Sequence, residues 1–143
     1  MKYNFYAKIT TKVHPIDSKY SKIKDQYHLY KLLLNCWNIE TCTPRCRNEF
    51  SNTNKTAGQC SITSFLVQDI FGGEVYGITT PSGGTHCFNV VNGVLFDLTS
   101  EQFGDTKLTY TLDNPQDRKK HFSNPDKYHR YLLLKEMLDK LTK

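Results

Sequence analysis

Across residues 56–99 the apolar positions change period, from helical to strand-like. Ile62, Phe65, Leu66 and Ile70 fall at helical spacing and Gly72-Gly73 follows, which predicts an amphipathic helix over residues 60–71 with a glycine stop. Residues 74–79, 85–91 and 94–99 are short apolar and β-branched runs that predict strands, the first antiparallel to the second. Asn92-Gly93 joins the last two and predicts a two-residue type I′ hairpin turn. That turn pairs Val91 with Val94, Val90 with Leu95, Asn89 with Phe96 and Phe88 with Asp97.

Earlier in the chain, Tyr3, Phe5, Ala7, Ile9 and Val13 keep largely to alternate positions, as in a strand that Pro15 ends. Asp17 or Ser18 can cap a helix with Ile23, Tyr27, Tyr30 and Leu34 on its apolar face. Past the hairpin, residues 107–112 offer another strand, and 114–124 is polar and irregular. Asn124-Pro125 opens a final helix whose Tyr128, Tyr131, Leu132, Leu138 and Leu141 are expected to face the core. The pattern predicts an α+β fold: an antiparallel sheet of four to five strands with the helix of Cys60 on one face. N- and C-terminal helices cover the rest, and residues 1–143 form one domain.

Charge changes this picture little. Nineteen basic and fourteen acidic residues give a net charge of +5, spread along the chain. A nucleic-acid binder would gather its cations on one element, so no nucleic-acid partner is expected, and Arg118-Lys119-Lys120 reads as a solvated loop. No stretch is long and apolar enough for a membrane span or a signal peptide, and the five cysteines are an odd count. The expectation is a cytoplasmic protein with reduced thiols; its oligomeric state is not legible.

The candidate chemistry lies in the helix and the hairpin. Cys60 opens the helix, where free backbone N–H groups and the positive dipole end favour a thiolate. Side chains alternate along a strand, so the hairpin register puts His86 and Asp97 on one face as diagonal neighbours, roughly 7–8 Å apart at the backbone. Cys87 points the other way. A turn one residue longer would flip one strand and part the pair. Thiol, imidazole and carboxylate make a nucleophile, a base and an orienting group. The backbone N–H of Cys60 is one oxyanion donor, and Gln59 or Trp37 is a candidate for another.

Cys42 and Cys46 leave two alternatives open. Their spacing fits a structural zinc half-site that Cys60, His86 or Cys87 could complete, although no second close-spaced pair is present. Cys42 could instead lie near Cys60 as a resolving thiol. The main reading has neither metal nor cofactor.

Gly58-Gln59-Cys60 opening a helix, His86 on a strand and Phe96-Asp97-Leu98-Thr99 on the next resemble the transglutaminase-like branch of the papain-like cysteine hydrolases. Residues 58–63, 68–74 and 96–103, with Trp37 and Glu40-Thr41-Cys42 upstream, are more closely similar to the bacterial YunG-like proteins. The resemblance implies hydrolysis or acyl transfer on a peptide, protein or small amide through Cys60, His86 and Asp97. A non-enzymatic binding module on the same fold and a metal-binding or redox protein are the rival readings.

Overall fold

The structure, a computed structural model, describes residues 5–143. Its strands are Tyr6–Ala7 (β1), Glu74–Thr79 (β2), Thr85–Val91 (β3) and Val94–Asp97 (β4). They form one antiparallel sheet in the order β1-β4-β3-β2. The helices are Gln26–Leu33 (α1), Cys60–Phe71 (α2), Arg118–Phe122 (α3) and Pro125–Leu141 (α4). The architecture is α+β, as the pattern predicts.

The hairpin has the register that its turn demands: Val91 opposite Val94, Val90 opposite Leu95 and Asn89 opposite Phe96. Asn92 and Gly93 both take positive φ, 50° and 80°, as a type I′ turn requires. Side chains then alternate across β3. Cys87 packs with Phe65 of α2, and Asn89 Nδ2 donates to the Ser64 carbonyl at 2.9 Å. On the other face, Phe88 packs with Ile78 and Leu95.

Helix α2 is the central element. Ile62, Phe65, Leu66 and Ile70 are buried, and so are Val67 and Phe71 on its far side. A helix apolar nearly all round must be covered all round, and α2 packs between β3 and α4.

Several elements differ from the sequence pattern. Asp17 caps only a 3₁₀ turn, Ser18–Tyr20, while Asp25 caps α1 by accepting from the His28 N–H at 2.9 Å. Ile23, Tyr27 and Tyr30 are nonetheless buried. Of the N-terminal alternation only β1 joins the sheet, Ile9 is exposed, and Tyr3 lies outside the described residues. Residues 107–112 add no strand. Their Leu108 and Tyr110 lie over the apolar sheet face instead of pairing with an edge.

The stretch expected to be irregular contains α3, capped by Asp117 through the Lys119 N–H at 3.0 Å. Arg118 is therefore no loop residue. Its guanidinium pairs with Asp69 of α2 at 2.8 Å, donates to the Tyr131 hydroxyl at 2.9 Å, and lies over the rings of Phe65, Phe122 and Tyr131. In α4 the buried stripe is Arg130, Tyr131, Leu134 and Leu138. Tyr128, Leu132 and Leu141 are exposed, because the stripe that meets α2 leaves them to one side.

Candidate active site

Cys60 is the first residue of α2. Gln59 precedes it without a side-chain cap, so the N–H groups of the first turn have no intrahelical partner and no capping side chain. Gly58 makes the approach possible. Its φ is +69°, and a Cβ there would stand 2.7 Å from Cys42 Sγ and 2.9 Å from Cys46 Cβ.

His86, at the start of β3, is 1% exposed. Its Nε2 donates to Asp97 Oδ2 at 2.6 Å, which leaves Nδ1 for the cleft that His86 lines together with Cys60. Phe103 meets the imidazole edge-on at 4.7 Å between ring centroids.

Asp97 is held from every side. Oδ1 accepts from the Thr99 N–H at 3.1 Å and the Thr99 hydroxyl at 3.3 Å, and Oδ2 accepts a second bond from the Tyr110 hydroxyl at 2.7 Å. The Asp-x-Thr spacing thus has a physical meaning: the threonine occupies one carboxylate oxygen and leaves the other to the imidazole. Burial, then the neighbouring Asp97 carboxylate, pushes the Tyr110 hydroxyl pKa up, so it stays a donor.

Thiol and imidazole tune each other. A hydrogen bond from Cys87 is the largest influence lowering the Cys60 pKa; burial opposes it, and the His86 hydrogen bond and charge add to it. Burial pulls His86 down, but Asp97 and Cys60 outweigh it and raise its pKa to about 10. Together these shifts favour a thiolate–imidazolium pair. The other thiols go the opposite way: burial pushes Cys36 and Cys42 up to about 11, and Cys46 is raised by burial and by Glu49. Cys87 is raised chiefly because it donates to Cys60.

The remaining sequence candidates lie elsewhere. Trp37 Nε1 donates its single N–H to the Thr63 hydroxyl at 2.9 Å, and Gln59 Nε2 donates one of its two N–H groups to the Asn38 carbonyl at 3.2 Å. Cys42 is buried against Gly58; the cysteine that shares a cleft with Cys60 is Cys46. Among the described residues, no three His, Cys, Asp or Glu side chains converge as a metal site would need.

Spacing gave no sign of three neighbours. Tyr110 belongs to a run with the pattern of a strand, the alternation turns Cys87 away from His86, and the spacing of Cys46 suggests a zinc half-site with Cys42. Cys87 does point away from His86, and that direction brings it to the Cys60 end of α2.

The cleft that opens on Cys60 and His86 has a volume of about 990 Å³. Arg45, Cys46, Thr80, Gly84, His121 and Lys127 are among the residues that line it. The turn of residues 80–84 is therefore part of its rim. Among the described residues, no helix is long and apolar enough to cross a membrane.

Residues 25–143 match the YunG protein family. Over 48 residues the chain is 44% identical to the Uncharacterized protein YunG of Bacillus subtilis (strain 168); the match spans 34% of this chain and 41% of that protein. No solved structure matches the chain. With the family matched over most of its length, the chain belongs to the YunG protein family.

Proposed function

We propose that this protein is a thiol-dependent hydrolase or acyltransferase acting on an amide bond, within a single domain of papain-like or transglutaminase-like type. One observation carries the reading. The thiol at the start of α2 shares a cleft with an imidazole whose Nε2 is held 2.6 Å from a buried carboxylate, and that imidazole lowers the thiol pKa.

In this reading His86 Nδ1 takes the Cys60 proton, and the thiolate attacks the amide carbonyl. The oxyanion forms near the free N–H groups of Cys60 and Ser61 at the helix start. As the C–N bond breaks, imidazolium returns the proton to the leaving amine and a thioester remains on Cys60. Water, or an acceptor amine, then gives its proton to His86 and attacks the thioester, and Cys60 leaves as the thiolate. Asp97 fixes the imidazole tautomer throughout, and needs no proton of its own.

The test is competitive alkylation with iodoacetamide at mildly acidic pH, followed by peptide mapping. Cys60 is expected to react well ahead of Cys36, Cys42, Cys46 and Cys87, and His86→Ala is expected to abolish that lead. Equal labelling of all five thiols would sink the proposal and leave a binding module.

A further inference from the structure

Two cations of the cleft have no carboxylate. Lys127, in the first turn of α4, is half-buried, and Arg45, exposed, lines the same cleft with its guanidinium 3.7 Å from where a Gly84 Cβ would lie. Among the described residues, neither takes part in an ion pair within 4.0 Å. Their neighbour Arg130 differs: its Nε is 2.9 Å from Asp126 Oδ2, and Nη1 donates to the Thr41 carbonyl at 3.3 Å. Glu49, the other acid of the cleft, is exposed and beside Cys46.

Lys127 is held in place. Its Nζ lies 2.9 Å from His121 Nδ1, and His121 Nε2 lies 2.8 Å from Gln116 Oε1. An ammonium only donates, so Nδ1 must accept; Nε2 then carries the proton and donates to the Gln116 oxygen. Burial, and next the Lys127 charge, lowers the His121 pKa, in keeping with a neutral ring. The arrangement fixes one ammonium N–H and, among the described residues, leaves the other two without a hydrogen-bond acceptor. Partial removal of an ammonium from water without a counter-charge is a cost that a bound carboxylate would offset.

We infer that the Lys127 ammonium and the Arg45 guanidinium, facing one cleft beside Cys60, form a subsite for the carboxylate of an anionic substrate. The preferred acyl donor is then a carboxylate-bearing amide. This deepens the thiol-hydrolase reading and rests on it. Burial and the charges of Arg130 and Arg45 lower the Lys127 pKa, while the sulfurs of Cys87 and Cys60 oppose them, which places each of these groups within electrostatic reach of Lys127.

The test pairs iodoacetate with iodoacetamide, two alkylating agents of similar size that differ in charge. Each forms a thioether with the Cys60 thiolate and expels iodide. The ratio of their rate constants at Cys60 is measured in the wild-type chain, in Lys127→Gln and in Arg45→Gln. Each substitution is expected to lower the iodoacetate-to-iodoacetamide ratio about fivefold, since one cation at cleft distance contributes an effect of that order. The iodoacetamide rate should change less than the ratio. Selective Cys60 labelling with an unchanged ratio in both variants would overturn the anion subsite and leave the thiol reading standing. Uniform iodoacetamide labelling of all five cysteines would remove both.

Discussion

His86 and Tyr110 share one oxygen of Asp97: Nε2 and the phenol hydroxyl both donate to Oδ2, at 2.6 and 2.7 Å. The tyrosine competes with the imidazole for the same negative charge. Tyr110→Phe is therefore expected to make Asp97 more available to His86, so that the imidazolium persists to higher pH. Its stability cost should be about 1 kcal/mol, the usual worth of such a bond. Asp97→Asn should do the opposite, dropping the His86 pKa and slowing Cys60 alkylation at pH 6 by about a hundredfold. Rate–pH profiles of both variants check this; identical upper limbs would refute the competition.

Cys87 is the donor that most strongly holds the Cys60 thiolate. Cys87→Ala removes that donor and should shift the acidic limb of the Cys60 alkylation profile upward by about one pH unit, while Cys87→Ser restores a donor and should return most of it. A packing role alone would leave the limb in place in both variants.

Gly58 and Cys42 leave no room for a methyl group, with 2.7 Å between a built Cβ and the sulfur. Gly58→Ala meets that clash and a φ of +69° together, so it should cost about 2–4 kcal/mol in urea denaturation. Adding Cys42→Ala should recover part of the loss, and strict additivity of the two substitutions would exclude the clash.

The raised His86 pKa also sets a pH dependence of stability. A base raised from 6.5 to about 10 on folding stabilises fully below pH 6.5 and loses that contribution as pH climbs toward 10. The thiolate has the opposite sign: its lowered pKa stabilises above the unfolded value near 9.0 and is lost as pH falls through the folded one. Between pH 6.5 and pH 9.0 the folded and the unfolded pair each hold one proton. The stability difference between wild type and His86→Gln should therefore narrow only between pH 9 and pH 10, by about 1 kcal/mol. A constant difference over that window would contradict an imidazolium in the folded state.

The hairpin and α2 were legible because each carries its own local chemistry. Asn92-Gly93 fixes one turn type, one turn type fixes one register, and the register puts His86 and Asp97 on a common face. Gly58 and the apolar spacing from Ile62 to Ile70 mark α2 in the same way. What stayed hidden depends on long-range packing. Nothing in residues 107–112 separates an edge strand from a segment laid across the sheet, so the Tyr110 hydroxyl could not be traced to Asp97. Arg118 looked solvated because its partners Asp69, Phe65 and Tyr131 are 13 to 53 positions away. Trp37 and Gln59 lie close to Cys60 in the pattern, but the Trp37 N–H goes to Thr63 and a Gln59 N–H goes to Asn38, partners that no local spacing shows.

His86 and Cys87 are consecutive and point to opposite faces of β3, yet both lower the Cys60 pKa. The thiol answers to two jaws cut from one piece of backbone, a proton acceptor on one side and a proton donor on the other. Both jaws therefore move together. Tilting or sliding that single strand would retune acidity and nucleophilicity in one stroke, which makes the anchoring of β3 between its neighbours the mechanical setting of the chemistry.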